Sequence, residues 1–401
     1  MRPGSGIAPG ARTASGAWPM TDQPRTFLIA CGGTGGHLSP GIALAEALLA
    51  RGHAADLFIS QKQVDARLSG QYPGLRFARV PGAPFGWRPE VHLRFHWKQT
   101  QGLVFSLNFM RRRRPDAIVG FGGFTNAGVV MAGRLLRVPV ALHEANRVPG
   151  RAVRVLSRFA ARLYLPPGVR LPGRLGLLVR HVGLPVRREI VRLPRAEARA
   201  RLGMDPRLKT LVVVGGSQGS EPLNRWVDEN LEALATEGVQ VWCVTGLGRR
   251  AAAVREITTR NGGTVRAWAE PFSDRMGELF SAADVVLSRA GAGTLAELVQ
   301  CETPGILIPY PHAADNHQWA NARYFEQQGG GLVIDQGALV TLRREVLDTL
   351  FNDWLLNKFR DNLRRMAREN SIDTIVQDLE RLASGVPPAR HLRHAPAPLA
   401  P

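Results

Sequence analysis

Two short apolar runs, each entering a glycine-rich loop, dominate the hydrophobic pattern of this chain. The first run covers 26–31 and enters the loop 32–37, and the second covers 210–214 and enters the loop 215–220. Apolar residues with helical spacing follow, most clearly at 42–49. A strand, a glycine-rich turn and a helix in this order are typical of the start of a doubly wound α/β domain. The pattern therefore predicts two such units.

Further strands and helices alternate along the rest of the chain. The alternation predicts parallel sheets covered by helices, so the predicted fold class is α/β with two Rossmann-like, doubly wound domains. Strands are predicted where apolar runs are bounded by turn residues, at 55–60, 117–120, 138–143, 241–245, 284–288 and 305–309.

The predicted boundaries divide the chain into five parts. A leader at 1–24 and a tail at 385–401 are rich in small residues and proline, and we expect both to be flexible. An N-terminal domain covers 25–187 and a C-terminal domain covers 188–365. An amphipathic helical pattern runs over 342–382, and we expect its last part, 366–384, to return to the N-terminal domain. The leader lacks a signal-peptide pattern, and no apolar run is long enough to span a membrane.

Charge and cysteine usage restrict the function further. The three cysteines are widely spaced without a Cys-x-x-Cys pair, which favours a reducing compartment and no metal cluster. The net charge of +19 is uneven: 25–187 holds 24 Lys and Arg against 6 Asp and Glu, whereas 188–401 holds 26 of each. We therefore expect the first half to face a polyanion, which could be nucleic acid, an anionic bilayer or a phosphorylated substrate.

The first glycine loop carries the first candidate chemistry. Its backbone amides and the following helix N-terminus suit a phosphate, although a tight strand–helix turn with no ligand fits the same residues. His37 ends this loop and is a candidate general base; a capping histidine is the alternative.

A second candidate site follows the strand at 284–288. The amides of Ala292, Gly293 and Thr294, at the start of a helix, suit a diphosphate. Glu297, one turn into that helix, suits the two hydroxyls of a ribose. The alternative is a capping box formed by Thr294 and Glu297.

Two polar clusters lie close to predicted strand ends. His143, Glu144 and Asn146 follow the strand at 138–143, where α/β sheets bind ligands. The loop at 309–321 carries Asn316, His317, Gln318 and Asn321, which suit a hydroxyl-rich ligand or simply a solvated loop. No metal-binding spacing and no Asp-x-Asp occur, so we predict no metal and no cofactor. A leaving diphosphate would be met by helix ends and basic groups.

The stretch 85–114 interleaves aromatic and basic residues and closes on four arginines. This mixture suits a membrane interface or single-stranded nucleic acid. A helix that packs its apolar face inward and exposes a basic end is the third interpretation. The aromatic members are Phe85, Trp87, Phe95, Trp97, Phe105 and Phe109.

Six motifs in order resemble the MurG family of peptidoglycan glycosyltransferases, over 26–382. They are Gly-Gly-Thr-Gly-Gly-His at 32–37, Gly-Phe-Gly-Gly-Phe at 120–124, His-Glu-x-Asn at 143–146, Gly-Gly-Ser-Gln-Gly at 215–219, Arg-x-Gly-Ala-x-Thr-x-x-Glu at 289–297 and Asn-His-Gln at 316–318. The resemblance implies a GT-B fold, with two Rossmann-like domains across a cleft. It implies an inverting, metal-independent transfer of N-acetylglucosamine from UDP-GlcNAc to the MurNAc of lipid I.

The resemblance also implies roles for individual residues. His37 would activate the acceptor hydroxyl and Arg289 would neutralise the departing UDP. The acceptor and its pyrophosphate would be held by Gly122, Gly123, Phe124, Thr125, Asn126 and Glu144. The donor would be held by Thr34, Gly35, Gly36, Asn146, Arg187, Ser217, Phe272, Ser273, Ala292, Gly293, Thr294, Leu295, Glu297 and Gln318.

Three departures from the family pattern concern the acceptor side and the hinge. Phe124-Thr-Asn-Ala-Gly128 replaces Tyr-Val-Ser-Gly-Pro, Leu184 replaces Asn before the hinge proline, and Ala145 replaces Gln. A related transferase acting on diacylglycerol is the second functional hypothesis, and a non-enzymatic nucleic-acid binder is the third.

The expected partners and location follow from the leading hypothesis, the lipid I transferase. The partners are UDP-GlcNAc, undecaprenyl-linked lipid I, an anionic membrane surface and the proteins of cell-wall synthesis and division, with no nucleic acid. The expected location is the cytoplasmic face of the plasma (inner) membrane, as a peripheral protein.

Overall fold

The architecture was analysed in a computed structural model of the chain. The residues it describes are 23–32, 35–61, 68–83, 88–172, 178–216, 218–259, 262–367 and 372–385. Thr34, Phe85, Trp87 and Ser217, which the sequence singles out, lie outside the described residues.

The N-terminal domain is built on a seven-stranded parallel sheet in the order β3-β2-β1-β4-β5-β6-β7. The order changes direction between β1 and β4, so the loops after these two strands open at the same crevice. The strands are β1 (Thr26–Ala30), β2 (Ala54–Ile59), β3 (Arg76–Arg79), β4 (Ala117–Gly120), β5 (Val140–His143), β6 (Arg162–Leu165) and β7 (Leu178–His181).

Helices cover both faces of this sheet, which is why its central strands are continuous apolar runs rather than alternating ones. On β1, Phe27 and Ile29 belong to one buried cluster, and Leu28 and Ala30 belong to the cluster on the other face. The helices are α1 (Gly35–Ala50), α2 (Pro89–Arg113), α3 (Asn126–Leu135) and α4 (Arg151–Leu156), with a short 3-10 turn at Ser157–Phe159.

The C-terminal domain repeats the plan with a second seven-stranded sheet, in the order β10-β11-β9-β8-β12-β13-β14. The pairs are parallel except β10–β11, so β10 is an antiparallel edge strand. The strands are β8 (Lys209–Val214), β9 (Val239–Val244), β10 (Ala253–Thr258), β11 (Thr264–Glu270), β12 (Val285–Ser288), β13 (Gly305–Leu307) and β14 (Gly331–Val333).

The segment 182–194, called the linker, joins the two sheets, and eight helices follow it within the described residues. Two further 3-10 turns lie at Ala314–Asn316 and Gln336–Ala338. The helices are α5 (Arg195–Leu202), α6 (Glu221–Thr236), α7 (Met276–Ala282), α8 (Ala292–Cys301), α9 (His317–Gln327), α10 (Leu339–Leu350), α11 (Asp353–Ala367) and α12 (Ile372–Ala383). No helix within the described ranges is both long and apolar enough to cross a bilayer.

The predicted α/β class with two doubly wound sheets is confirmed. The stretch predicted to be helical at 342–382 is helical over most of its described residues, in α10, α11 and α12. Short strands with few distinguishing residues, including β3, β6 and β14, were not predicted.

The last helix, α12, packs against the N-terminal domain. Ile375, Val376, Leu379 and Leu382 lie in the same buried cluster as Phe27 of β1. The chain therefore crosses from the C-terminal domain back to the first sheet.

Buried polar contacts hold α12 in this position. Asp378, which is 4% exposed, accepts a 2.9 Å hydrogen bond from the Tyr164 hydroxyl on β6. Its carboxylate also pairs with Arg162 at 3.3 Å and Arg180 at 3.7 Å. Two residues further along, Glu380 pairs with Arg51 at 2.8 Å.

We predict that Asp378→Ala lowers the free energy of unfolding by about 3–5 kcal/mol, because it leaves two buried guanidinium groups without their carboxylate. Urea denaturation followed by circular dichroism measures this loss. Asp361→Ala is the control, since Asp361 on α11 forms an exposed pair with Arg364, and it should change stability by less than about 1 kcal/mol. Equal small losses in both variants would contradict a structural role for the Asp378 network.

Candidate active site

The loops after β1 and β4 meet where the first sheet changes direction. The Thr125 hydroxyl donates a 2.9 Å hydrogen bond to the carbonyl oxygen of Gly32, which joins the two loops. Gly122 and Gly123 have φ angles of +89° and +82°, a region that favours glycine. A Cβ atom on Gly123 would lie 2.7 Å from the Gly32 oxygen and 3.4 Å from Nδ1 of His37. The His37 imidazole therefore lies against a turn that requires glycine.

The loop after β4, which departs from the family pattern at 124–128, is held by hydrogen bonds from α2 and from its own Asn126. Gln99 on α2 donates a 2.8 Å hydrogen bond to the carbonyl oxygen of Phe124. The buried Asn126 side chain donates to the carbonyl oxygen of Gly122. Gly128 allows α3 to approach α2, because a Cβ atom there would lie 2.8 Å from the amide nitrogen of Leu103. Thr125 and Asn126 thus direct their side chains inward, and the backbone amides at the start of α3 are the groups suited to an anion.

Glu144 organises the loop after β5. One carboxylate oxygen accepts from the backbone amide of Asn146 at 2.8 Å, and the other accepts from the amide of Gly150 at 2.7 Å. The carboxylate is 4% exposed. The sequence predicts Glu144 as an acceptor contact, but the structure gives it the role of holding this loop, because a buried carboxylate with these partners would repel a pyrophosphate.

Asn321 on α9 connects this loop to the C-terminal domain. Its Oδ1 atom accepts from the amide of Arg147 at 2.9 Å. Its Nδ2 group donates to Oδ1 of Asn146 at 3.0 Å and to the carbonyl oxygen of Ala290 at 3.2 Å. Asn146, predicted as a donor contact, therefore lies at the junction of the two domains.

The N-terminus of α8 opens into the space between the domains. Gly291 is its N-cap residue, with φ −70° and ψ 138° and no side-chain cap. A Cβ atom built on Gly291 or Gly293 would meet no atom within 4 Å, so the first-turn amides border open space. With Ala292 and Thr294, these residues form a helix end of the kind that binds phosphate groups.

Glu297 does not form the capping box that the sequence left open, because α8 begins at Ala292 rather than at Thr294. Its carboxylate instead lies 3.5 Å from Nη2 of Arg187, in the linker between the domains. Burial raises the pKa of Glu297, and Arg187 opposes that shift. Burial alone would lower the pKa of Arg187, but Glu297, Tyr72 and Glu189 raise it overall. Arg187 therefore favours the ionised form of Glu297, against the burial that raises its pKa.

The position of Arg289 does not fit its predicted role. The sequence predicts it as a partner for a leaving diphosphate, but its guanidinium group is buried inside the C-terminal domain. It donates to the Ser220 hydroxyl at 3.1 Å, to the carbonyl oxygen of Ile308 at 3.1 Å and to Oε1 of Gln336 at 2.6 Å. Because its donors are directed to these three loops, Arg289 is a structural residue that joins them.

The remaining predicted donor residues that the structure describes belong to both domains. Gly35 and Gly36 begin α1. Gln318 accepts a 2.9 Å hydrogen bond from the backbone amide of Tyr310. Phe272 and Ser273 follow β11, and Ser273 accepts from the amide of Arg275 at 3.3 Å.

A cavity of about 140 Å³ lies beside α8, between the two domains. Ala292 and Leu295 of α8 line it together with Leu184, the residue that replaces the family's asparagine. The neighbouring walls are apolar, including Val182 and Phe325. Leu295, predicted as a donor contact, is 8% exposed and contributes to this apolar wall.

Sequence reasoning missed two residues at the edge of the cleft. Tyr72 and Gln71, which precede β3, reach the linker and the C-terminal domain: the Tyr72 hydroxyl contacts Arg187 and Glu189, and Gln71 contacts Asp274. Neither residue belongs to a motif, so no sequence signal could have identified them before the fold was known.

Comparison with known proteins agrees with this architecture. The glycosyltransferase family 28 N-terminal domain matches residues 27–165, and the family 28 C-terminal domain matches 210–376. The crystal structure of MurG from Acinetobacter baumannii superposes with a TM-score of 0.66 at 21% identity, covering 89% of this chain and all of that one.

Two curated relatives carry the same name, UDP-N-acetylglucosamine--N-acetylmuramyl-(pentapeptide) pyrophosphoryl-undecaprenol N-acetylglucosamine transferase. The protein from Opitutus terrae is 58% identical over 367 residues, which cover 90% of this chain and 97% of the relative. The protein from Neisseria meningitidis serogroup C is 35% identical over 360 residues, covering 88% of this chain and 97% of the relative.

Two Rossmann-like domains that face each other across a cleft, matched by both family 28 domains, define a glycosyltransferase with the GT-B fold. Within that class the chain belongs to the MurG family of N-acetylglucosaminyltransferases. The family resemblance and the GT-B fold inferred from the sequence are thereby confirmed.

Proposed function

We propose that this chain transfers N-acetylglucosamine from UDP-GlcNAc to the 4-hydroxyl of the MurNAc unit of lipid I, forming lipid II for peptidoglycan synthesis. The names of its relatives support the substrates. The observation that carries the proposal is the α8 N-terminus, which opens into the cleft beside Glu297. A helix end for a diphosphate, next to a carboxylate for a ribose, fits a sugar nucleotide.

The donor in this proposal lies mainly on the C-terminal domain. The first-turn amides of α8 bind the diphosphate, and Glu297 accepts hydrogen bonds from the ribose hydroxyls. Arg187 has an Nε group that is buried without a hydrogen-bond partner within the described residues, so a ligand oxygen there would satisfy it. The uracil lies near Phe272 and Ser273, the sugar near Asn146 and Gln318. Thr34, Gly35, Gly36 and Ser217 complete the donor contacts.

The reaction we propose inverts the anomeric centre. The acceptor 4-hydroxyl attacks C1 of the donor sugar from the face opposite UDP, and the C1–O bond to the diphosphate breaks through an oxocarbenium-like state. His37 takes the hydroxyl proton, and UDP leaves with its electron pair. The α8 amides and Arg187 stabilise the charge that develops on UDP, which is the task that a metal ion performs in other transferases.

The acceptor pyrophosphate is met by the loop after β4. Gly122, Gly123 and Phe124 lead into α3, and the Thr125 and Asn126 side chains are directed inward. The Asn126 amide donates to the Gly123 carbonyl oxygen at 3.4 Å, so the following amides of the first turn are the ones proposed to meet the anion. His37 lies against this loop, so the base and the acceptor site share one turn.

Helix α2 is the part of the chain that we propose to contact an anionic membrane, on the cytoplasmic face. Its inner stripe is buried and contains Gly102, Ser106 and Met110. Leu93 and Trp97, on the outer stripe, are 73% and 63% exposed. Basic residues flank these apolar side chains and end the helix, and each adds about 1 kcal/mol of attraction to anionic lipid. They are Arg88, Arg94, Lys98, Arg111, Arg112, Arg113 and Arg114.

A transfer assay tests the substrates directly. Radiolabelled UDP-GlcNAc is supplied with a lipid I analogue, in buffer containing EDTA, and the expected product is labelled lipid II. A parallel reaction offers diacylglycerol. Label in diacylglycerol but not in lipid I would replace the proposed acceptor, and no product until a divalent metal is added would overturn the metal-independent mechanism.

We predict that His37→Ala lowers kcat by about 10²- to 10⁴-fold, the usual contribution of a positioned general base. The KM for UDP-GlcNAc should change little, because the imidazole lies on the acceptor side. His181→Ala is the control, since His181 is an exposed histidine on β7 of the same domain. Turnover near the wild-type rate in His37→Ala would remove this residue from the role of base.

We predict that Leu93→Glu with Trp97→Glu weakens binding to vesicles of 30% phosphatidylglycerol by about tenfold or more, because burial of large apolar side chains contributes about 1.5–3 kcal/mol each. Vesicle sedimentation measures the binding. Trp354→Glu is the control, as Trp354 is 74% exposed on the C-terminal domain. An equal loss in that control would show that α2 is not the contact surface.

A further inference from the structure

The clearest feature without an assigned role is the contact that the N-terminal domain makes with the linker at Tyr72. The Tyr72 ring packs against the buried cluster of the N-terminal domain, which fixes its direction. Its hydroxyl donates to Oε1 of Glu189 and accepts a 3.2 Å hydrogen bond from Nη1 of Arg187. One hydroxyl therefore forms hydrogen bonds with two linker residues of opposite charge.

Arg187 connects this hydroxyl to the donor site. Its Nη1 group also lies 3.1 Å from Oε1 of Glu189, while Nη2 lies 3.5 Å from Oε1 of Glu297. Glu189 is 37% exposed at its side chain and Glu297 is 15% exposed. The Glu189 and Glu297 carboxylates both lie close to one guanidinium group. The position of that group between them depends on the hydrogen bond from Nη1 to the Tyr72 hydroxyl.

We infer that Tyr72 is a positioning residue for the donor: its hydroxyl holds the Arg187 guanidinium so that Nη2 stays on Glu297. This inference rests on the proposed role of Glu297 at the ribose. Without the hydroxyl, Arg187 can turn toward the more exposed Glu189, and the buried Glu297 carboxylate then loses its counter-charge. A carboxylate that becomes protonated accepts fewer hydrogen bonds, so it binds the two ribose hydroxyls less well.

The charges around Glu297 indicate that its pKa would rise if Arg187 turned away. Burial raises the pKa of Glu297, Arg187 lowers it and Glu189 raises it. Cys301, on the same helix, has a pKa raised to about 12 by burial and stays a neutral thiol. Burial also raises the pKa of Tyr72, so its hydroxyl keeps the proton that it donates to Glu189. Arg187 is thus the neighbouring group that lowers the pKa of Glu297, against burial and Glu189.

The test compares Tyr72→Phe with wild type, because phenylalanine keeps the ring and removes the hydroxyl. We expect the KM for UDP-GlcNAc to rise about five- to tenfold, within the range for loss of one typical hydrogen bond, while kcat stays within about twofold. The acid limb of kcat/KM for the donor should move to higher pH, since a raised pKa of Glu297 means that its ionised form is lost at higher pH.

Calorimetric titration with UDP and with 2′-deoxy-UDP isolates the ribose contact without needing an acceptor. Wild type should prefer UDP, and Tyr72→Phe should lose most of that preference because Glu297 no longer holds the hydroxyls. In an Arg187→Ala background, Tyr72→Phe should have no further effect, since the hydroxyl acts through that guanidinium. Gln71→Ala is the matched control: it removes the adjacent contact to Asp274 and should leave the nucleotide preference intact.

Two outcomes would overturn the inference. One is a Tyr72→Phe enzyme with wild-type donor KM, pH profile and nucleotide preference. The other is a lower thermal midpoint with a lower kcat and an unchanged nucleotide preference, which would mean that the hydroxyl only stabilises the fold. Failure of the proposed function looks different, because wild type itself would then neither bind UDP nor turn over UDP-GlcNAc.

Discussion

The ion pair between Arg187 and Glu297 is the contact on which the geometry of the cleft depends. Arg187 belongs to the linker, Glu297 to the first helix that faces the cleft from the C-terminal domain, and Tyr72 reaches the pair from the N-terminal domain. A buried pair is stabilising only when both charges have partners, because each ion loses its hydration. The pair therefore ties the linker to the helix that carries the carboxylate proposed to bind the donor.

On the opposite wall of the cleft, backbone geometry rather than charge sets the arrangement. His37 lies against Gly122 and Gly123, whose φ angles and close contacts admit no side chain, and Thr125 ties this turn to the loop after β1. The residues that replace the usual family sequence are the ones that make these internal contacts. The Thr125 and Asn126 side chains therefore bind to the backbone of the protein and are not directed to an acceptor. Backbone amides are left as the groups that can bind an anion.

The sequence predicts the parts of this molecule that have strong local signals. Apolar strands entering glycine loops identified both doubly wound domains, and Glu297 was singled out from its place after β12. The boundary between α10 and α11 at Phe351 was not predicted, because the amphipathic pattern continues across it. The inward role of Arg289 depends on acceptor groups in three separate loops, namely the Ser220 hydroxyl, the Ile308 carbonyl oxygen and Oε1 of Gln336. The contact of Tyr72 with Arg187 joins residues 115 positions apart. Contacts of this kind exist only once the fold has brought distant segments together.

Charge counted along the chain also differs from charge arranged in space. The first half holds the basic excess, but part of that excess is neutralised within the fold: Asp378 and Glu380, counted in the second half, pair with Arg162, Arg180 and Arg51 on the N-terminal domain. These arginines hold the last helix in place and do not face a polyanion. Arg94 and Lys98 on α2 are arranged differently, since they lie beside the exposed side chains of Leu93 and Trp97. The helix, rather than the domain as a whole, is therefore the surface whose composition fits an anionic bilayer.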